Sequence, residues 1–137
     1  MREHGSYSIR ITGRVIECDC YGSWNDETAQ RYCREQRAIV RQLGADSWAK
    51  ILDLSEWELG TPSIQLPLNE LYVWNALHGQ TRQINIRHHS LFKDMHLKNI
   101  IPDNTSIIIT EMKNWSEARD LLCSEGFLTA RERSSLE

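Results

Sequence analysis

Polar and apolar residues alternate along the first stretch of the chain and then change to a helical spacing. Tyr7, Ile9 and Ile11 alternate with Ser8 and Arg10, Thr12-Gly13 marks a tight turn, and the run from Arg14 to Tyr21 resumes as a second strand, so the opening predicts a β-hairpin. In that second strand Cys18 and Cys20 share a face, with Asp19 opposite. Trp24-Asn25-Asp26-Glu27 then supplies Asn25 or Asp26 as an N-cap and acidic side chains where the helix dipole favours them. At about 100° per residue, Ala29, Tyr32, Cys33, Gln36, Ile39, Val40 and Leu43 fall within one arc, while Arg34, Arg37 and Arg41 cluster almost opposite. This is a helix with one apolar stripe, and Gly44 is placed to stop it.

Trp48-Ala49-Lys50-Ile51-Leu52-Asp53-Leu54 is a short apolar run between turn signals, the pattern of a central strand covered on both faces. A loop from Ser55 to Ser63 leads to a second helix from about Leu66 to His78. Leu68, Leu71 and Tyr72 occupy one side of it, and Leu66, Val73, Trp74 and Leu77 occupy roughly the other, so one apolar face can cover a sheet and the other needs a second partner. Arg82 to Arg87 alternates as a less buried strand, Ser90 to Asn99 reads as a short helix with Leu91, Phe92 and Met95 inward, and Thr105 to Thr110 is a further strand. Asn114 or Ser116 caps a last helix that ends at Gly126, with Phe127 packing back, and the polar tail from Thr129 to Glu137 is expected to fray, its final Leu136-Glu137 being a possible cloning scar.

The order ββαβαβαβα predicts one α/β domain spanning residues 1–137, with an ordered core over about 7–127. Its sheet should be mostly parallel and five-stranded, opened by the hairpin and covered by about four helices.

The 137 residues contain 16 Lys+Arg, 19 Asp+Glu and 40% hydrophobic residues, and the net charge of -3 lacks the basic excess that phosphate-backbone binders use, so nucleic-acid binding is not expected. No apolar run reaches the roughly 20 residues of a membrane span, and the start of the chain is polar, which points to a cytoplasmic protein. Four cysteines in a chain long enough to build its own core are expected to be reduced, with Cys18 and Cys20 as buried strand residues rather than metal ligands.

At Ile51-Leu52-Asp53-Leu54-Ser55-Glu56 the chain resembles the STAS superfamily, the anti-sigma-factor-antagonist-like or SpoIIAA-like domains. The resemblance runs from about Tyr7 to Phe127 and extends to Trp24-Asn25, Trp57-Glu58-Leu59-Gly60-Thr61-Pro62 and Trp115-Ser116-Glu117-Ala118, with the uncharacterised bacterial branch looking most similar. It implies a domain that binds proteins rather than catalysing, switched in its best-known members by phosphorylation of a serine at the start of the second helix. The Asp-Ser-Ser-Gly turn of the family aligns with Thr61-Pro62-Ser63-Ile64, which places Pro62 at the position of that serine. Thr61 and Ser63 flank it and read as capping residues.

No Gly-rich phosphate loop or nucleophile elbow is present, and no catalytic residue, metal or cofactor is expected. His78, His88, His89 and His96 lie near Asp94, but their spacing gives no ligand pair on a helix, and they read as surface histidines. Asp53, near the C-terminal end of its strand, with Ser55, Glu56, Thr61 and Ser63 in the following loop, forms a candidate polar rim at the edge where open α/β sheets collect ligands. Asp53 reads more readily as an acceptor for loop amides. Trp57 and Trp74 are candidates for a neighbouring apolar wall. The sequence thus points to a non-enzymatic binding domain acting through the second helix and the loop before it, with a protein partner or a second copy of itself. The alternative is a small apolar ligand or lipid held in a cavity, as in the architecturally related CRAL-TRIO domains.

Overall fold

A computed structural model describes residues 4–58, 60–88 and 91–134, the side chains of Leu91 and Phe92 excepted. Strands β1 (Ser6–Thr12) and β2 (Val15–Gly22) form the hairpin, closed by a two-residue turn in which Gly13 has φ of 59°. A Cβ on Gly13 would meet the Phe127 carbonyl at 2.9 Å, so this turn needs glycine for space as well as conformation. Helix α1 (Asp26–Leu43) follows, then β3 (Trp48–Trp57), a single 3-10 turn (Pro62–Ile64), α2 (Gln65–Leu77), β4 (Gln80–Ile86), α3 (Leu91–Ile100), β5 (Ile108–Met112), α4 (Trp115–Ser124) and α5 (Ala130–Ser134).

The sheet runs β1-β2-β3-β4-β5, antiparallel at β1-β2 and parallel elsewhere. Because each strand adds to the same edge, right-handed crossovers all fall on one face. Residues of α1, α2 and α3 accordingly pack with Ile16, Cys18, Trp48, Leu52 and Leu54, whereas α4 covers Val15, Ala49, Ile51, Ile84 and Ile86 on the other face. Helix α1 begins as its sequence requires, with the Asn25 side chain accepting from the Thr28 amide at 3.2 Å, and it ends at Gly44 with φ of 61°.

Several elements differ from the sequence expectation. Strand β3 continues to Trp57, because Glu56 and Trp57 still pair with Tyr21 and Gly22 beyond a register shift in which β3 carries one extra residue, so Ser55 and Glu56 lie in a strand and not in a loop. Strand β4 is central and almost wholly buried: its alternation separates two covered faces of different polarity, not core from solvent. Strand β5 is shifted to Ile108–Met112, the segment whose register matches Arg82 to Ile86. In α3 the inward residues are Leu97 and Ile100, and Met95 is exposed; Ser90 and the side chains of Leu91 and Phe92 lie outside the described residues. The tail does not simply fray. Thr129 and Glu132 form a reciprocal capping box at 2.8 and 3.0 Å, and Arg133 ties α5 to Asp120 at 2.8 Å and Ser116 at 3.0 Å. Leu136-Glu137 lies outside the described residues.

Candidate functional site

Helix α2 is amphipathic in an unusual sense. Leu68, Leu71, Tyr72 and Asn75 are buried against the sheet and α1, while Leu66, Val73 and Leu77 on the outer side are 67%, 48% and 78% exposed. Positions 66, 73 and 77 are separated by seven and four residues, so they form one stripe along the helix. Beside them the Trp74 ring is held flat: His78 stacks on it at 3.8 Å and 14°, with its Nδ1 donating to the Trp74 carbonyl at 2.7 Å. The guanidinium groups of Arg37 and Arg41 on α1 lie over the same ring at 5.8 and 5.3 Å. Arg34, one turn earlier on α1, lines a groove with Arg37, Pro67 and Glu70. Among the described residues, no carboxylate forms an ion pair with Arg34, Arg37 or Arg41.

The segment before α2 is pinned to the start of α1. Glu58 N donates to the Gly22 carbonyl and Thr61 N to the Trp24 carbonyl, and a Cβ on Gly60 would clash with the Ile64 side chain and meet the Trp24 carbonyl at 2.8 Å. Thr61 and Ser63 do not cap α2, which has no side-chain cap. Their hydroxyls contact each other at 3.0 Å and Ser63 donates to the Asp26 carboxylate at 2.5 Å, because the 3-10 turn that Pro62 initiates displaces them from the helix N-terminus.

The remaining predicted site residues fall in two further places. Asp53 accepts from the Ser55 amide at 2.9 Å and hydroxyl at 2.6 Å, and from the Trp115 indole at 2.7 Å, so its carboxylate serves a local backbone donor and anchors α4. Asp53, Ser55 and Glu56 border a depression of about 120 Å³ with Asp19, Cys20 and Tyr21. Trp57 does not border this depression. It is 2% exposed, edge-on to Trp24, and stacked on the His96 ring at 5.4 Å and 5°. His96 in turn meets Gln65 at 2.8 Å, tying α3 to the start of α2, and is buried where the sequence suggested a surface histidine.

Between the sheet and helices α1 to α3 lies a cavity of about 40 Å³, walled by Tyr32, Lys50, Trp57, Tyr72, Asn75 and aliphatic side chains of β3, α2 and α3. Trp57 lines it and Trp74 does not. Burial pushes the Tyr72 hydroxyl up to about 12 and raises the thiols of Cys18 and Cys20 above their ordinary value, so these groups stay protonated and neutral. Among the described residues, no three His, Cys, Asp or Glu side chains come together as metal ligands.

The sequence reading therefore located Trp74 and the outer stripe but not the residues that hold Trp74. Their signal was present: Trp74 and His78 are four apart on one helix, as are Arg37 and Arg41 on the other.

No protein-family model and no curated protein matches the chain. Among solved structures it is similar to an uncharacterised protein of the DUF3478 family from Shewanella loihica PV-4, described as having a SpoIIAA-like fold. The two superpose with a TM-score of 0.67 over 90% of this chain and 97% of that one, at 12% identity. The chain has the SpoIIAA-like fold. This agrees with the resemblance read from Leu52 to Glu56, and at that identity it speaks for the architecture alone. Among the described residues, no helix of this SpoIIAA-like domain is long and apolar enough to cross a membrane.

Proposed function

We propose that this domain is a non-catalytic docking module whose partner is another protein presenting an acidic, amphipathic helix to the outer face of α2. The exposed stripe of Leu66, Val73 and Leu77 carries this reading. Single exposed apolar residues are ordinary, but three in one row beside a clamped tryptophan form a continuous contact surface. Among the described residues Arg34, Arg37 and Arg41 border the row without an acidic ion-pair partner, which supports an acidic occupant over a second copy, since two such faces would bring like charges together. The segment from Thr61 to Ser63 immediately precedes the same helix. Pro62 carries no hydroxyl, so phosphorylation at the position equivalent to the family serine is chemically closed to this chain. A lipid-sized ligand in the core gains no support from the 40 Å³ cavity, since ligand pockets span roughly 300–1,000 Å³.

Light scattering and site-specific photocrosslinking test this reading together. The purified chain is expected to be a monomer at micromolar concentration. A photoreactive phenylalanine in place of Leu77 is expected to capture an acid-rich peptide of another protein, and the capture should be lost when Arg34, Arg37 and Arg41 are all changed to Glu. A homodimer that dissociates on Leu77→Glu, or crosslinks that survive the arginine reversal, overturns it.

A further inference from the structure

The side chains of Glu17, Lys50 and Arg82 are charged and buried within the sheet. Glu17 is bonded by Arg10 and Arg119, at 2.9 and 3.2 Å, and Arg82 by Glu125 at 2.9 Å. Lys50, only 4% exposed, has neutral partners. Its ammonium donates to Gln36 Oε1 at 3.1 Å and lies 5.0 Å from the centre of the Tyr32 ring. Nearby acceptors are already engaged: Gln36 Oε1 also receives Asn75 Nδ2 at 2.7 Å, and Asn75 Oδ1 receives Gln36 Nε2 at 3.0 Å. The Tyr32 hydroxyl donates toward Cys18 Sγ at 3.6 Å. An ammonium has three donors, so two remain for something other than Gln36.

Lys50 lines the 40 Å³ cavity, and so does Tyr72. The Tyr72 oxygen accepts from Gln83 Nε2 at 2.7 Å, and among the described residues its own O–H has no acceptor. Lys50 and Tyr72 thus both border the cavity, each with donors that no described residue engages, and among the described residues no carboxylate lines it. One water needs roughly 10–15 Å³ of such space, so the cavity admits a halide-sized ion and excludes an organic acid of several carbons. A buried charge without a counter-charge is strongly unfavourable, and a bound anion supplies the missing partner.

We propose that this cavity is a binding site for a small monovalent inorganic anion of chloride size, held by the Lys50 ammonium and the Tyr72 hydroxyl. The site is separate from the docking face of α2 and does not depend on it. Bound only by the folded chain, the anion raises the melting temperature by mass action. Thermal unfolding is followed in sodium chloride, sodium bromide and sodium gluconate at equal concentrations, with gluconate as the anion too large to enter. The expected result is a Tm several degrees higher in the halides than in gluconate for the native chain, beyond the difference seen for Lys50→Met. General salt effects act on both proteins alike, so an equal halide response in the two overturns the proposal. If Lys50→Met does not fold, Tyr72→Phe replaces it and is expected to at least halve the halide response; an unchanged response overturns the proposal. In crystals grown from bromide, an anomalous peak is expected in hydrogen-bond contact with Lys50 Nζ, and ordered density there without anomalous signal also overturns it.

Discussion

Glu17 on β2 and Lys50 on β3 face opposite sides of one sheet, and each is a charge withdrawn from water. Glu17 lies under α4 within an Arg10–Glu17–Arg119 triad, and both guanidinium groups lie over the indole of Trp115, at 4.8 and 4.9 Å. Lys50 lies under α1 and α2 in a network of neutral amides and hydroxyls. The difference teaches that burial alone does not define a buried charge. On one side the chain compensates the charge fully with its own residues, and the charge joins β1, β2 and α4. On the other it leaves donors unengaged on residues that line a cavity, the arrangement from which a ligand is proposed.

The sharpest way to break this comparison is to strip Glu17 of its partners. Changing Arg10 and Arg119 together to Met strands a carboxylate with a fully buried side chain, and removing the partners of a buried ion typically costs about 3–5 kcal/mol. Urea denaturation should show a loss of that size. A loss near zero would mean that Glu17 is compensated by protonation or water and that its triad does not differ in kind from the Lys50 network.

A smaller loss is expected on the opposite face. Gln36→Leu removes the acceptor of Lys50 Nζ and both side-chain hydrogen bonds of Asn75 in one step, leaving buried polar groups unsatisfied at about 1–3 kcal/mol. The same denaturation experiment measures it. A cost as large as that of stripping Glu17 would show that the neutral amides, not an external ligand, carry the compensation of Lys50.

What the sequence made legible follows the same division. Local signals were read well: the stripe from Ala29 to Leu43, the Asn25 cap, the Gly44 stop and the turn at Gly13 each depend on residues within a turn or two of one another. The second apolar face of α2 was legible for the same reason, because Leu66, Val73 and Leu77 share one helix. Lys50 was not. In an apolar run it looked like one polar position in a covered strand, and its acceptor Gln36 and the Asn75 that Gln36 pairs with come from two different helices, brought together only by packing. Strand β4 was misjudged because alternation reports a difference between two faces and not which face meets water; Gln83 and Asn85 are as buried as Ile84 and Ile86. The capping box at Thr129 and Glu132 was visible and carried more weight than the polarity of the tail suggested.

The smallest expected effect concerns another buried ionisable group, His96, which has neither the triad of Glu17 nor the cavity of Lys50. It is stacked on Trp57 and bonded to Gln65, and burial lowers its pKa below the usual 6.5. The unfolded chain therefore takes up a proton at this position before the folded chain does. Its contribution to stability is complete above about pH 6.5, declines as the pH falls below that value, and stops declining once the folded ring is itself protonated. The slope for one proton cannot exceed roughly 1.4 kcal/mol per pH unit. Urea midpoints measured between pH 7.5 and pH 5 for the native chain and for His96→Phe, which keeps a ring against Trp57, isolate this term from the other histidines. The native chain should lose more stability on acidification than the variant. Parallel curves would mean that the imidazolium finds an acceptor beside Trp57, and the contrast between compensated and uncompensated buried charge would then rest on Glu17 and Lys50 alone.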